Sequence, residues 1–266
     1  MSAIRRFVLI ACSASKVIPP DESLIWGAET SLECWSESWT KANKLIAASD
    51  LYTGRSVVNQ IRVVEDSEID GWGIISAGAG LILKEDMLPS YESTFAKGRG
   101  PDSSQWPSLP LGGLERIPDC EEIITFAPPN YQKALAQDRA FSAVKDRLTV
   151  ASNSILKGNA AKVLQLHPRA SEVIGCAKSD LASNLVDLYF SEGRQGFSRI
   201  NDLASALPEP RTRRKVSDGE LIGIVSELTH LGPLGAIVRH IRDNTDVAAS
   251  YERIREARNL VLSGEN

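Results

Sequence analysis

The sequence predicts an α/β protein: a mostly parallel sheet core with flanking helices, followed by a small C-terminal helix-turn-helix-like module. Three observations lead there. Short apolar, partly β-branched runs recur at Phe7-Val8-Leu9-Ile10-Ala11, at Trp72-Gly73-Ile74-Ile75-Ser76 and over residues 122–126. Stretches with helical spacing separate them, the alternation that a parallel sheet requires. Beyond residue 207 the strand signal ends, and three short helical patterns follow a linker rich in proline and arginine. The expected domains are residues 1–207 and 208–266.

The first run ends in Cys12-Ser13-Ala14-Ser15-Lys16, where a buried strand passes into a loop of small polar residues. Residues 32–48 carry Trp35, Trp39 and Leu45–Ile46 at helical spacing, and these tryptophans are read as core packing rather than base stacking. Leu51-Tyr52-Thr53-Gly54 makes a turn, and a second helix is expected over residues 56–64. The second strand runs into Ala77-Gly78-Ala79-Gly80-Leu81-Ile82. The third closes at Pro128 and Pro129, before a helix expected over residues 131–144. Residues 89–118 are rich in Pro, Ser and Gly around Trp106, and an irregular stretch of that length inside a domain points to a functional loop.

Leu181, Leu185, Leu188 and Tyr189 mark an amphipathic helix ending near Gly193. Pro208, Pro210 and Arg211-Thr212-Arg213-Arg214-Lys215 then form the linker. Ser217-Asp218-Gly219-Glu220 reads as a capping box, with Leu221, Ile224, Val225 and Leu228 as the apolar face behind it. Gly232-Pro233-Leu234-Gly235 breaks that helix, and two more are expected over residues 236–242 and 247–262.

Composition excludes several classes. The net charge of −4 provides no global basic field, so contact with nucleic acid requires a local patch. No apolar run approaches the roughly 18 residues of a membrane span. The run after Arg5 and Arg6 is too short for a signal-peptide core, so a cytoplasmic location and no membrane partner are expected. Cys12, Cys34, Cys120 and Cys176 lie far apart, and His167, His230 and His240 lack ligand spacing. Neither metal, disulfide nor cofactor is expected. There is no Walker A sequence, and the Gly78-Ala79-Gly80 step lacks the third glycine of a dinucleotide fingerprint.

Three segments carry candidate chemistry. Cys12, Ser13, Ser15 and Lys16 place a thiol, two hydroxyls and an ammonium where an α/β sheet meets its ligands. Ser76, Gly78 and Gly80 could form an inward array of backbone donors. Pro89-Ser90-Tyr91-Glu92-Ser93-Thr94-Phe95 sets a carboxylate beside an aromatic ring and hydroxyls; on spacing alone, Glu92 is equally an exposed loop carboxylate without a task. His167 and Arg169, followed by Ser179 and Asp180, form a second polar knot. There Asp180 is a reserve acid, while Ser179 also reads as a helix cap. In the tail, Arg239, Arg242, Arg253 and Arg258 could join the linker cluster on one phosphate-facing surface, or decorate a solvated bundle of mixed charge.

The ordered set CSASK, LYTGR at residues 51–55, WGIISAGAGLI at residues 72–82 and PSYESTF resembles a bacterial family of domains of unknown function. That family is similar, distantly, to the YaaA-type DNA-binding fold and to the Cys-Ser domain of archaeosine-synthesis enzymes. Its members also resemble antiphage DNA glycosylases that excise modified bases. The resemblance spans the first third of the chain, and the arginine-rich tail resembles an end segment of some members. This chain has Ala79 where many members carry a charged or imidazole side chain, so a role resting on that side chain does not transfer.

The resemblance implies a glycosylase cutting the N-glycosidic bond of a modified base in phage DNA, glucosylated hydroxymethylcytosine for example, as antiviral defence. Glu92 would stabilise the cationic sugar or orient water, with Asp180 in reserve, and Tyr91 would stack on a flipped base. Cys12, Ser13, Ser15, Lys16, Tyr52, Ser76, Gly78, Gly80, Thr94, His167 and Arg169 would line the pocket. Arg211, Arg213, Arg214, Lys215, Arg239 and Arg242 would hold DNA. Two other readings stand beside it: a transferase handling 7-deazaguanine-type bases, and a non-catalytic DNA-binding stress protein.

Overall fold

The structure is a computed structural model that describes residues 5–67, 71–208 and 213–264. The chain divides into two compact units, Met1–Ala206 and Leu207–Asn266.

Six strands form the sheet of the first unit: β1 (Arg6–Ala11), β2 (Gly71–Ser76), β3 (Gly80–Leu83), β4 (Glu122–Thr125), β5 (Leu148–Ala151) and β6 (Lys162–Leu164). Their order is β3-β2-β1-β4-β5-β6, and every neighbouring pair is parallel except β2 with β3. Phe7, Val8, Leu9 and Ile10 are all buried, so β1 shows the unbroken apolar run of a strand covered on both faces. The predicted α/β class is the observed one. β5 and β6 went unread in the sequence.

Four helices matter for the first unit: α1 (Leu32–Lys41), α2 (Arg55–Asp66), α3 (Pro129–Gln137) and α4 (Leu181–Ser205). Helix α2 buries Val57, Ile61 and Val64, one stripe at helical spacing, and packs against α4. It links β1 to β2, while α3 links β4 to β5 in the opposite direction along the sheet. Right-handed crossovers therefore place α2 and α3 on opposite faces. The order reverses between β1 and β4, and their carboxyl ends open the crevice where α/β proteins of this topology bind ligands.

Several boundaries differ from expectation. Helix α1 stops at Lys41, because Ile46–Ala47 leaves it to pair antiparallel with Met87–Leu88. The helix expected over residues 131–144 starts at Pro129, where a missing N–H costs nothing, and breaks after Gln137 before a short turn at Phe141–Val144. Gly193 does not end α4: it takes φ 59°, ψ −141° as a kink, and the helix resumes and buries Phe197, Ile200 and Ala204. The segment 89–118 is core as much as loop. Trp106 is fully buried with its indole donating to Ser76 O at 3.0 Å, and Asp102 and Gln105 form a capping box for the 3-10 turn Ser103–Ser108.

That segment also clamps the β2–β3 hairpin, since Leu81 N donates to Gly112 O at 2.8 Å. Gly80 has φ +95°, and a Cβ there would stand 2.2 Å from Gly112 O. Both conditions oppose a side chain. Gly80→Ala is expected to lose about 3 kcal/mol of stability, read as a lower urea midpoint at unchanged slope; a midpoint within error of wild type would contradict the close approach.

Across the sheet, the Glu122 carboxylate on β4 accepts from Thr149 Oγ1 at 2.6 Å and Tyr189 Oη at 2.8 Å, and pairs with the Lys162 ammonium. This network ties β4, β5 and β6 to α4.

The second unit has its own core of Val216, Leu221, Val225, Ile237, Ile241, Val247, Ile254 and Ala257. Its helices are α5 (Asp218–Leu228), α6 (Leu234–Asn244) and α7 (Tyr251–Ser263), with Arg214–Lys215 pairing parallel to Val247–Ala248. The segments Asp218–Leu231 and Leu234–Asn244 meet at 118°. Ser217 Oγ caps α5 by accepting from Glu220 N at 3.2 Å, but the Glu220 carboxylate turns to Arg214 instead of closing the box. Among the described residues, no single helix is long and apolar enough to cross a membrane.

Candidate active site at the switch point

The small residues of the Cys-Ser loop let it fold tightly against its neighbours. Cys12 N continues the β1 ladder by donating to Ile75 O at 3.1 Å, and Ser13 Oγ turns back to Ser15 O at 3.2 Å. Thr53 N donates to Ser15 O at 3.1 Å, and Val17 N to Leu51 O at 2.9 Å. The helix start comes so close that a Cβ on Gly54 would lie 2.4 Å from Ser13 Oγ. From the other side of the crevice, Tyr131 in the first turn of α3 reaches the loop. Its Oη lies 3.4 Å from Cys12 Sγ and donates to Cys12 O at 3.3 Å. Its ring stands edge-on to Phe95 with centroids 5.3 Å apart.

Behind the loop lies a buried chain of hydroxyls. Ser76 Oγ accepts from both Gly78 N and Ala79 N at 3.1 Å, which fills its two lone pairs. Its proton is therefore donated to Tyr91 Oη, which also shares a hydrogen bond with Tyr52 Oη. Burial pushes the Tyr52, Tyr91 and Tyr131 hydroxyls above the ordinary phenol range, so all three stay protonated. Lys16 Nζ sits 4.4 Å above the Tyr91 ring and 5.5 Å from the Tyr52 centroid. Burial lowers this ammonium below the usual lysine value, against the opposing pull of Cys12 and Glu92.

Glu92 follows Tyr91 on an extended segment held by Glu92 N to Leu24 O and Trp26 N to Glu92 O, both at 2.8 Å. The pleat buries Tyr91 and Ser93 while Glu92 and Thr94 stay half-buried. The Glu92 carboxylate is 46% exposed and pairs with Arg99 at 3.0 Å. Thr94 holds the turn that brings Arg99 back, donating its N–H to Arg99 O at 2.8 Å and accepting from Ala96 N at 3.1 Å.

The structure thus gathers Cys12, Ser13, Ser15, Lys16, Tyr52, Ser76, Tyr91 and Glu92, and corrects several expected roles. Tyr91 is 1% exposed beneath Lys16 and against Trp35 and Trp39, so it cannot stack on a base. Gly78 and Gly80 do not form an anion nest. The Gly78 N–H is taken by Ser76, a Cβ on Gly78 would stand 2.6 Å from the Tyr91 ring, and Gly80 lies under Gly112. Both glycines serve close packing. The Asp180 carboxylate pairs with Arg55 at the start of α2, as Glu92 pairs with Arg99.

His167 and Arg169 follow β6, three strands from β1 and about 14 Å away across the sheet. There His167 Nδ1 accepts from Arg169 N at 3.2 Å and Arg169 pairs with Glu172 at 2.7 Å, so this knot belongs to the sheet edge. In the second unit, Arg214 pairs with Glu220 and Asp246, Arg242 with Asp243, and Arg213 donates to Arg242 O at 2.7 Å. Lys215 and Arg239 are exposed without an acidic partner among the described residues. Arg211 lies outside the described residues. Also among the described residues, no group of three His, Cys, Asp or Glu side chains could hold a metal ion.

Sequence reasoning assigned no part to Tyr131, Arg99 or Arg55. Tyr131 carried a usable signal: it sits two residues into a helix that starts directly after a parallel strand, where side chains face the crevice.

Residues 35–155 match the model of a family of unknown function, DUF6884. The match takes in Tyr52, Ser76, Tyr91, Glu92 and Tyr131, covers just under half of the chain, and excludes the Cys-Ser loop. No curated protein and no solved structure matches.

Proposed function

We propose that this protein is a hydrolase that removes a modified base from nucleic acid by cutting its N-glycosidic bond. One observation carries the reading: Lys16 Nζ at the end of the Cys-Ser loop lies 4.4 Å above the ring of Tyr91, the residue before Glu92, so the loop and the Tyr-Glu segment meet in space. The chemistry asks little more. Breaking the C1′–N bond sends its electron pair to the base and builds positive charge on the sugar, which a carboxylate such as Glu92 stabilises. Water supplies hydroxide to C1′ and its proton to the base. Lys16 and the Cys-Ser loop offer donors for the departing base, and the half-buried Phe95 and Tyr131 rings offer an apolar wall in place of Tyr91. Lys215 and Arg239 of the second unit are available for phosphates.

Incubating the full chain with DNA carrying a panel of modified bases, glucosylated hydroxymethylcytosine included, is expected to yield abasic sites and a free base identified by mass spectrometry. Incorporation of labelled 7-deazaguanine would move the reading to base exchange. Intact DNA across the panel, bound but never cut, would replace it with a DNA-holding protein.

A further inference from the structure

We propose that the cleft of about 440 Å³ beside Phe95 is a phosphate subsite, taking an anionic phosphate of the nucleotide whose base reaches the Cys-Ser loop. The inference rests on the placement of the candidate site and deepens it. Phe95, Lys97, Gly98, Asp102, Asn130 and Lys133 are among the lining residues. The charge there runs against the rest of this acidic chain. Lys97 and Lys133 are exposed and neither forms an ion pair among the described residues. Asp102 also lines the cleft and interacts with the Lys133 charge, while its Oδ1 accepts from Ser104 N and Ser104 Oγ at 3.0 Å, so the lining sets two ammonium groups against one carboxylate. Asn130 stands in the first turn of α3, whose positive dipole end adds to the two ammonium groups.

Phe95 borders the cleft on one side and meets Tyr131 edge-on at 5.3 Å, while Tyr131 touches Cys12 at 3.4 Å. A continuous wall therefore runs from the two lysines to the loop. The volume suits a mononucleotide-sized ligand.

The test uses the full chain and the double variant Lys97→Ala with Lys133→Ala, both at exposed positions. Calorimetry compares thymidine 5′-monophosphate with thymidine, and fluorescence anisotropy follows a labelled eight-nucleotide oligothymidylate over a salt series. Wild type is expected to bind at least one phosphate-bearing probe about tenfold more tightly than the double variant. For the oligonucleotide, the salt slope should fall by about 1.4, the share of two phosphate contacts on a single strand. Loss confined to the oligonucleotide identifies a backbone phosphodiester, and loss with both probes identifies a site that also accepts a terminal phosphate. Equal binding by wild type and variant overturns the proposal. So does an equal loss in a control variant, Lys44→Ala with Lys157→Ala, whose lysines do not line the cleft. Neither probe carries a modified base, so failure to release one from DNA would sink the hydrolytic reading and leave this result standing.

Discussion

Glu92→Gln is expected to slow base release by about 10²–10³-fold, with DNA affinity and thermal midpoint close to wild type. The amide keeps the size and most of the hydrogen bonding of the carboxylate but loses the charge that a cationic sugar needs. Stability should hardly change, because the Glu92–Arg99 pair is exposed on both sides, at 46% and 67%, and such pairs contribute little. Glu92 also owes its position to backbone bonds with Leu24 and Trp26, which the substitution leaves alone. Single-turnover rates on modified DNA, read beside anisotropy and a thermal melt, separate the possibilities. An unchanged rate would remove Glu92 from the chemistry, and a rate loss that tracks a fall in melting temperature would make its role structural.

Glu122→Gln should instead leave the chemistry intact and cost about 3 kcal/mol of stability at neutral pH. Only 10% of the Glu122 side chain is exposed, and the variant would leave Lys162 without its counter-charge. The pH dependence gives the sharper test. Burial alone would push the Glu122 carboxyl up, but bonds from Lys162, Thr149 and Tyr189 outweigh it and hold the folded value below the ordinary 4.5. Between those values the unfolded chain binds more protons than the native one, so stability rises with pH through that window. The contribution is complete above 4.5 and is lost as pH falls through the folded value. Urea midpoints should therefore converge for wild type and variant on acidification; a constant gap from pH 7 to acid would contradict the assignment.

The sequence disclosed some of this and concealed the rest for physical reasons. β1 was readable because Phe7, Val8, Leu9 and Ile10 form an unbroken apolar run, and the α2 stripe because Val57, Ile61 and Val64 keep its period. β5 and β6 are only Leu148–Ala151 and Lys162–Leu164, too short for any period to emerge. The kink at Gly193 resembles a helix stop, since a glycine at positive φ serves a C-terminal cap and a kink alike and only tertiary packing decides. In the site, motif order pointed to Lys16, Tyr52 and Ser76, which lie around the buried Tyr91 hydroxyl and ring. The pleat was decisive for Tyr91: which of two adjacent residues faces inward is a one-residue matter of register, and here it turned the tyrosine in and the glutamate out. Arg55 with Asp180 could not be paired in advance, since 125 positions separate them in the chain.

The two units carry separate apolar interiors, one built around β1 and one around Val225 and Ile237. Cooperativity in unfolding follows shared interior packing, so this polypeptide has two melting equilibria to consider rather than one. Any single transition temperature for the whole molecule would be a composite. A substitution in the tail could leave the sheet-bearing unit fully native while appearing, in an averaged signal, to weaken everything.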